Sequence, residues 1–421
     1  MRIPFHLLLT GIVVTVLSLS LLLSSCGTRR QEETVTSDTL SFAKGSFGYD
    51  ANFLARNKEV VILQDVKGQG KVLVVGDYQG RVMTSTSRGD LGLSYGWLNY
   101  DLIDAVTSQP HMNPYGGEDR FWIGPEGGQY AVFFTQGMSF VFENWQTPAL
   151  IDTEPFELKT SLNGQATFTK SAMLTNYDGF TFEMEIERQI KLLDSKEIEK
   201  LYGIEVGNLN KVCFQTVNTI KNAGKEAWTR KRGLISIWIL GMFNPSPATT
   251  IIIPYRNTPS SAGKVVDNYF GNISPERLVK TDSVLFFRGD GKSRGKIGIP
   301  PSIARNIQGS YDASRHVLTL VTFDIHPDRP YVNSKWETQT NPFDGDAVNA
   351  YNDGPLATGG QLGPFYEHES SSPALDLAPG QKWTHHHTTL HLEGSEKELD
   401  AIMRKALGVS IGTIEKAFIK K

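Results

Sequence analysis

Hydrophobic and polar residues alternate with a period of two along much of the chain. The clearest example lies within residues 180–190, where Phe182, Met184 and Ile186 alternate with Glu183, Glu185 and Glu187. Successive side chains of a strand point to opposite faces, so this alternation predicts a β-strand with one buried face and one solvated face.

Similar short hydrophobic runs are separated by turn-forming clusters, as at residues 115–117, 244–247 and 353–355. No regular alternation of strand and helix patterns is present, which weighs against a parallel α/β fold. We therefore predict an all-β fold, a large antiparallel β supersandwich with a few short helices and a C-terminal helix. The predicted strands include VVILQDV, KVLVVGD, YAVFFTQ, ISIWILGMF, TTIIIPY, SVLFFRGD, HVLTLVTFDI and THHHTTLHL.

Helical signals are few. Ser195 can open one short helix, and Ser395 can cap another while Glu398 reaches back to it, which is a capping box. An apolar stripe at helical spacing follows, formed by Leu399, Ile402, Met403 and Ala406. Gly408 can end this helix. Residues 411–421 are either a second short helix or a frayed tail.

The N-terminus has the pattern of a secretory signal peptide. Arg2 provides a positive charge, an apolar run covers residues 7–23, and the letters LSSCG around Cys26 are similar to a bacterial lipobox. Such a site directs lipidation of the Cys thiol and cleavage before it. The alternative is an uncleaved transmembrane helix, for which the run is marginal in length.

These signals predict how the chain is divided and where it resides. We expect a signal peptide at residues 1–25, a lipidated Cys26 with a flexible linker at 26–42, and a single β-supersandwich domain with its C-terminal helix at 43–421. Acyl chains on Cys26 would anchor the protein to a lipid membrane of the cell envelope. We expect the outer membrane rather than the inner one, with the periplasmic or surface face left open.

Composition excludes some classes of function. The chain has 421 residues, and its 42 Lys+Arg nearly balance its 45 Asp+Glu, so no nucleic-acid partner is expected. The hydrophobic content of 39% is too high for a disordered chain. Only 2 cysteines are present, so a hydrophobic core must hold the fold. Cys213 is predicted to be a small core residue.

Several segments resemble the galactose-mutarotase-like (aldose epimerase-like) superfamily. They are GRV at 80–82, GGEDRFWIGPE at 116–126, GPFYEHE at 363–369 and LAPG at 377–380. Residues 58–393 resemble an uncharacterised family of bacterial lipoproteins in this superfamily. The resemblance implies a β supersandwich whose concave face holds sugars. Functions across such folds include epimerases, lyases, hydrolase accessory domains and plain glycan binding.

The resemblance also implies catalytic positions. Mutarotation needs a base for the anomeric hydroxyl and an acid for the ring oxygen, roles that suit a carboxylate and a histidine. Glu367 matches the carboxylate of the family's late strand, and Glu369 shares its strand face; a solvated strand face is the alternative. His111 stands near the family's first histidine, or is an ordinary loop residue. An Asn-His-x-Tyr-Phe-Asn-like motif is absent, which weighs against ordinary aldose 1-epimerase activity.

Two polar segments are candidates for substrate binding. Glu118, Arg120, Trp122 and Glu126 combine charged groups with an aromatic ring, the mixture that sugar sites use for hydroxyl hydrogen bonds and stacking. The alternative is a turn between strands with a buried Trp. The basic segment at residues 289–296 is by default a mobile loop, and by hypothesis contacts an anionic sugar.

Further binding residues are expected late in the chain. Asn352 and Asp353 would line the concave face beside Glu367, or form an Asx-type turn. His385 and His387 share one face of a predicted strand, where they would contact sugar or lie at the surface.

No cofactor is expected, although two metal alternatives stay open. A His-x-His pair can bind Zn²⁺, and the carboxylates of Asp344, Asp346 and Asp353 could hold Ca²⁺ without matching an EF-hand. The expected function is therefore a membrane-tethered envelope lipoprotein that binds or processes a carbohydrate ligand. If it is an enzyme, epimerase-, lyase- or hydrolase-like proton transfer at a sugar is expected. The alternative is a non-catalytic glycan-binding or structural envelope lipoprotein.

Overall fold

The chain folds mainly into β-strands. A computed structural model describes residues 41–105, 107–162, 164–257, 263–356 and 359–419. Within them the strands are β1 (Val60–Gln64), β2 (Lys71–Val75), β3 (Arg81–Thr86), β4 (Arg120–Gly124), β5 (Glu157–Leu162), β6 (Gln165–Thr175), β7 (Thr181–Leu192), β8 (Asn210–Asn222), β9 (Ser236–Phe243), β10 (Thr249–Pro254), β11 (Leu278–Lys280), β12 (Val284–Arg288), β13 (Gly295–Ile299), β14 (Ile307–Asp312), β15 (Val317–Phe323), β16 (Val348–Asn352), β17 (Tyr366–Ser371) and β18 (Lys382–Glu393). The helices are α1 (Phe47–Asn57), α2 (Tyr100–Asp104), α3 (Ala149–Asp152), α4 (Ser195–Tyr202), α5 (Glu396–Leu407) and α6 (Ile411–Ala417).

The strands form three antiparallel sheets. The largest has ten strands in the order β11-β12-β10-β14-β15-β18-β8-β7-β6-β5, the second has five in the order β13-β16-β17-β9-β4, and a small sheet contains β1-β2-β3. The two larger sheets face each other: the Ser370 hydroxyl of β17 lies 2.8 Å from ring nitrogens of both His385 and His387 on β18. The predicted fold class, a large antiparallel β sandwich with few helices, is confirmed.

Helices α4 to α6 cover part of the outer face of the ten-stranded sheet. On α5, Leu399 and Met403 are fully buried against Leu390 and Leu392 of β18. The predicted capping box at Ser395 is present, and the helix ends at Gly408, whose φ of 75° is the left-handed conformation that glycine adopts at low cost. Of the two alternatives for the last residues, a second short helix is found.

The strand patterns are confirmed in most places and wrong in one. Along β7 the even positions from Phe182 to Ile190 are buried and Glu183, Glu185 and Glu187 are exposed. The run YAVFFTQ at residues 130–136 is not a strand. Its successive residues Ala131 to Phe134 are all buried in the core, so the segment fills space as an irregular loop instead of pairing along a sheet.

The predicted signal peptide and lipidation site at Cys26 lie outside the described residues. From Ser41 onward the chain forms one compact unit. Within the part of the chain that the structure describes, no helix combines the length and hydrophobicity needed to cross a bilayer. Cys213 is a buried free cysteine, as predicted for a core residue.

Candidate functional site

One face of the five-stranded sheet carries closely spaced charged and aromatic side chains. Cross-strand pairing aligns Arg120 with Glu369 through β9, and Lys296 with Glu367 through β16. Directly paired residues point to the same side of a sheet. The side turned away from the ten-stranded sheet is called the site face below, and it carries Arg120, Trp122, Trp238, Lys296, Glu367 and Glu369.

Two ion pairs cross each other on the site face. Arg120 Nη2 donates to Glu367 Oε1, and Lys296 Nζ lies 3.0 Å from Glu369 Oε2. Each cation therefore reaches the carboxylate of the neighbouring row instead of the one in its own row. Arg120 and both glutamates are buried, and only Lys296 is partly exposed. Buried charges are tolerated when paired, so the cluster persists because every charge has a counter-ion. The prediction that both glutamates share one strand face is confirmed.

Aromatic rings flank both ion pairs. The Arg120 guanidinium lies 4.9 Å from the Trp122 ring centroid, and Lys296 Nζ lies 4.8 Å from that of Trp238. The two tryptophans meet edge to face at 5.5 Å. The indole N–H of Trp238 donates to Glu369 Oε2 at 3.0 Å. The site face thus places a row with the two tryptophans beside the two rows that carry the charged side chains.

Three buried polar atoms on this face have no hydrogen-bond partner among the described residues. They are Arg120 Nε, Trp122 Nε1 and Glu369 Oε1. Buried polar atoms are nearly always paired in native proteins, and exceptions mark strain, ordered water or a ligand position. Two donors and one acceptor gathered on one face match the hydrogen-bonding capacity of hydroxyl groups.

The carboxyl groups of the site have shifted pKa values. Burial raises the pKa of Glu367 to about 7, with the Arg120 charge opposing the shift and Glu369 adding to it. Burial also raises the pKa of Glu126, which accepts a hydrogen bond from Trp336. Burial alone would lower the pKa of Lys296, but Glu369 and Glu126 outweigh it and the pKa is raised. Glu367 is therefore a group that can exchange a proton near neutral pH.

A cleft of about 500 Å³ opens beside the edge strand β13. Its lining includes Lys264, Lys335, Glu337, Asp344 and Asp346. Asp346 lies between the cleft and the site face: it lines the cleft, and the charge of Lys296 on the site face acts on its carboxyl group. Tyr269 donates a hydrogen bond to the same carboxylate. Burial raises the pKa of Asp346 to about 6. A cleft of this size and polarity suits a small polar ligand.

Asn352 and Asp353 have structural partners at the end of β16. Asn352 lies on the opposite face, where it accepts from the Gly291 amide at 2.9 Å and donates to the Ser293 carbonyl at 2.8 Å. Asp353 accepts from the Tyr351 hydroxyl at 2.6 Å. Tyr351 is paired with Glu367 across the sheet, so Asp353 borders the site face and Asn352 does not.

Glu118, His385 and His387 face the interior between the two large sheets. Glu118 Oε2 lies 2.8 Å from His391 Nε2, and the two predicted binding histidines flank Ser370. All three side chains are fully buried on the side opposite to Glu367. The expectation that they contact sugar together with Arg120 is therefore corrected: the alternation of β18 is as predicted, but its histidine face is the core face.

His111 lies in a loop away from the ion pairs. Its Nδ1 is 2.5 Å from the Trp145 carbonyl oxygen, and its ring packs on Phe142 at 4.7 Å. No described contact joins it to Glu367 or Glu369. His111 is therefore a loop residue, the second of the two alternatives, and the described structure brings no histidine from this segment to the site face.

The sequence patterns missed part of the site. Trp238 lay inside a run that showed only a buried strand, and Lys296 was noted only as part of a basic loop. Asp346 was considered only for calcium. In the described part of the chain no cluster of three or more His, Cys, Asp or Glu side chains could hold a metal ion.

The fold and the site together define a large antiparallel β-sandwich protein with a charged, aromatic-lined site on its smaller sheet. The chain belongs to the Family of unknown function (DUF6786), whose model matches residues 45–418. No curated protein matches the chain.

Solved structures similar to the chain include a putative aldose 1-epimerase and a galactose mutarotase-like protein. The Slr1438 protein of Synechocystis sp. PCC 6803 is 13% identical with a TM-score of 0.47, covering 80% of this chain and 96% of that one. A putative aldose 1-epimerase of Escherichia coli K12 is 10% identical, with a TM-score of 0.43 and coverage of 79% and 98%. A galactose mutarotase-like protein of Lactobacillus casei ATCC 334 is 10% identical, with a TM-score of 0.44 and coverage of 80% and 99%.

Proposed function

We propose that the site face binds a carbohydrate and that Glu367 transfers a proton at the bound sugar. The observation that carries this proposal is the crossed pair of ion pairs, Arg120–Glu367 and Lys296–Glu369, flanked by the rings of Trp122 and Trp238. Paired charges present oriented hydrogen-bonding groups to sugar hydroxyls, and aromatic rings stack on the apolar C–H side of a pyranose.

The chemistry follows from the state of Glu367. A base with a pKa near the working pH accepts a proton from a hydroxyl and returns it at low cost. Arg120 remains beside the Glu367 carboxylate and stabilises its ionised form, while Lys296 holds Glu369 in position. Glu367 would take the proton of the anomeric hydroxyl and pass it to the ring oxygen as the C1–O5 bond breaks, which gives the open-chain aldehyde. Rotation about the C1–C2 bond and the reverse proton transfers then close the ring as the other anomer, without any other reactant.

Exchanging Glu367 for Gln tests the catalytic role. Anomer exchange of freshly dissolved hexoses, followed by polarimetry, should fall by about 100-fold or more in Glu367→Gln, the usual contribution of a general base. In the wild-type protein the rate should rise as pH passes about 7, because the base must be ionised.

The matched control is Glu183→Gln, on the exposed face of β7, which should behave as the wild type. Thermal unfolding checks that both variants are folded. Wild-type turnover in a folded Glu367→Gln/Glu369→Gln double variant would contradict the proposal.

One observation favours a second candidate, a glycan-binding protein without turnover. Among the described residues, the histidines of β17 and β18 nearest to Glu367 in sequence, His368, His385 and His387, are buried on the core face, so the site face has no histidine acid from these strands. This candidate requires saturable binding of a glycan that weakens in Trp122→Ala, with no product after long incubation. A Trp383→Ala variant, which changes a tryptophan outside the site face, is its control.

We further propose that the protein is a lipoprotein of the cell envelope, anchored through Cys26. Support comes from the lipobox-like letters LSSCG after an apolar run. In a bacterial host labelled with a clickable fatty acid, the wild-type chain should carry label and sediment with membranes. Cys26→Ser should lose the label, while Cys213→Ser should keep it; label on Cys26→Ser contradicts the anchor.

A further inference from the structure

Arg294 is a cation beside the site face that is paired with no carboxylate among the described residues. Its guanidinium lies over the ring of Phe270, with Cζ 3.7 Å from the ring centroid. Its Nε is enclosed and has no hydrogen-bond partner in the described part of the chain. The remaining guanidinium nitrogens are not among the enclosed atoms, so they are available to a ligand.

The backbone around Arg294 is held rigidly. Asn352 binds the loop before it through the Gly291 amide and the Ser293 carbonyl. Gly354 packs so closely on this loop that a Cβ there would lie 2.4 Å from Ser293 Cα and 2.6 Å from the Arg294 nitrogen. The loop is therefore not free to swing, and it presents Arg294 in one position.

Arg294 points to the same side of the sheet as Lys296, because the two residues are separated by one position on an extended segment. Two residues of a strand span roughly 7 Å, which is about the width of one sugar ring. Lys296 is in the same row as Glu367. A sugar that extends from Glu367 across β16 towards β13 would turn one substituent to the end of the site face where Arg294 lies.

The charges of the site differ in how they are neutralised. Arg120 is paired with Glu367 and Lys296 with Glu369, whereas Arg294 forms no ion pair among the described residues, although its charge also acts on Glu126. Continuing the β13–β16 register places Asp353 opposite Arg294. The Asp353 carboxylate accepts hydrogen bonds from the Tyr351 hydroxyl and the Gly363 amide. Phe270 holds the guanidinium from one side by stacking, which leaves its edge free for a planar, bidentate anion.

We infer that the bound carbohydrate is an acidic sugar, whose carboxylate or phosphate ester is bound by Arg294. This inference rests on the proposed carbohydrate site and adds the class of its ligand. Arginine pairs with carboxylates and with phosphates through two parallel N–H···O bonds. The structure therefore assigns a negatively charged group to this position, and the experiment below distinguishes a carboxylate from a phosphate ester.

The test compares sugars that differ only at one substituent. The purified full-length protein is titrated calorimetrically with glucose, glucuronate and glucose 6-phosphate, and with the three corresponding galactose compounds. At least one acidic sugar should bind about tenfold more tightly than its neutral parent. Preference for the uronate identifies a carboxylate, and preference for the phosphate identifies a phosphate ester.

Two variants connect the preference to Arg294. Arg294→Gln should remove the tenfold advantage and leave the affinity for the neutral parent within twofold, while Arg294→Lys keeps part of it. Arg305→Gln makes the same exchange at an exposed arginine after β13 and should change neither affinity. Thermal unfolding shows whether each variant is folded, and the comparison of acidic with neutral sugars needs only the wild type.

The outcomes separate this inference from the proposed function. Equal binding of neutral and acidic sugars to the wild type overturns the acidic-sugar inference and leaves the carbohydrate site standing. Equal weakening of both kinds of sugar in Arg294→Gln overturns it as well, since the arginine would then be a general contact. Binding of none of the six sugars overturns both.

Discussion

At the scale of single residues, Arg188 shows how one buried charge connects separate elements. It lies on the buried face of β7, donates to the Gly80 carbonyl at 2.9 Å, and pairs with Asp119. Both side chains are fully buried, and Asp119 also accepts from Thr216 of β8 at 3.0 Å. The alternation of β7 assigns position 188 to the core face, and the pair makes that position acceptable to a guanidinium.

Removing the charge of Asp119 should therefore destabilise the protein strongly. Asp119→Asn keeps the size of the side chain and leaves Arg188 buried without a counter-ion, which costs about 3–5 kcal/mol of unfolding free energy. Urea denaturation measures it. The control is Glu185→Gln, which disrupts an ion pair with Lys221 that is exposed on both sides and should cost less than about 1 kcal/mol. If Asp119→Asn lowered the unfolding free energy by less than about 1 kcal/mol, the Arg188–Asp119 pair would not contribute to stability as stated here.

At the scale of elements, local patterns were sufficient where the signal is local. The capping box and the left-handed glycine define α5 without reference to the rest of the chain. The alternation in β7 likewise states which side chains are buried. The run at residues 130–136 was misassigned because a short buried stretch is hydrophobic whether it is a strand or an irregular segment packed on all sides. Helix α1, just after the predicted linker, was not predicted.

The candidate site could be predicted only in part for the same reason. Alternation placed Glu367 and Glu369 on one face, but it does not state which strand lies beside them. The pairing of Arg120 with Glu367 spans 247 positions of sequence. Lys296 becomes a site residue because β13 pairs with β16, next to β17. Alternation also placed His385 and His387 on the same face of β18. Only the contact with Ser370 of β17 shows that this face is turned towards the core.

At the scale of the whole molecule, the histidines between the large sheets make stability depend on pH. Burial lowers the pKa of His368, His385 and His387 to about 3, from an ordinary value of 6.5. These groups stay neutral in the folded protein and become protonated on unfolding between pH 6.5 and 3. The unfolded state then binds more protons, so the stability they contribute is complete above pH 6.5 and is lost as pH falls towards 3.

The free energy of unfolding should accordingly decrease by up to about 4 kcal/mol per pH unit in this window, the slope for three protons. Buried carboxyl groups with raised pKa values act in the opposite direction above about pH 4, so the net slope is smaller there and the loss should be steepest below it. They are Glu367 and Asp346, whose pKa values are raised to about 7 and about 6, and Asp50, Asp119, Glu126, Asp152 and Asp353. Urea midpoints between pH 3 and 7 measure the slope. His368→Phe should reduce it by one proton, whereas His316→Asn, at an exposed turn, should not. An equal slope in the wild type and in His368→Phe would contradict this account.

The sequence by itself determined the class of fold, the positions of most strands, the two caps of the C-terminal helix and the shared face of Glu367 and Glu369. These depend on interactions between residues close together in the chain, which period and capping patterns record directly. Only the tertiary structure decided that Arg120, Trp238 and Lys296 meet those glutamates, that the β18 histidines lie in the core, and that Arg294 forms no ion pair with any described carboxylate. Each of these depends on which strands are neighbours, and strand order is set by the packing of the whole sandwich and not by any local stretch of residues.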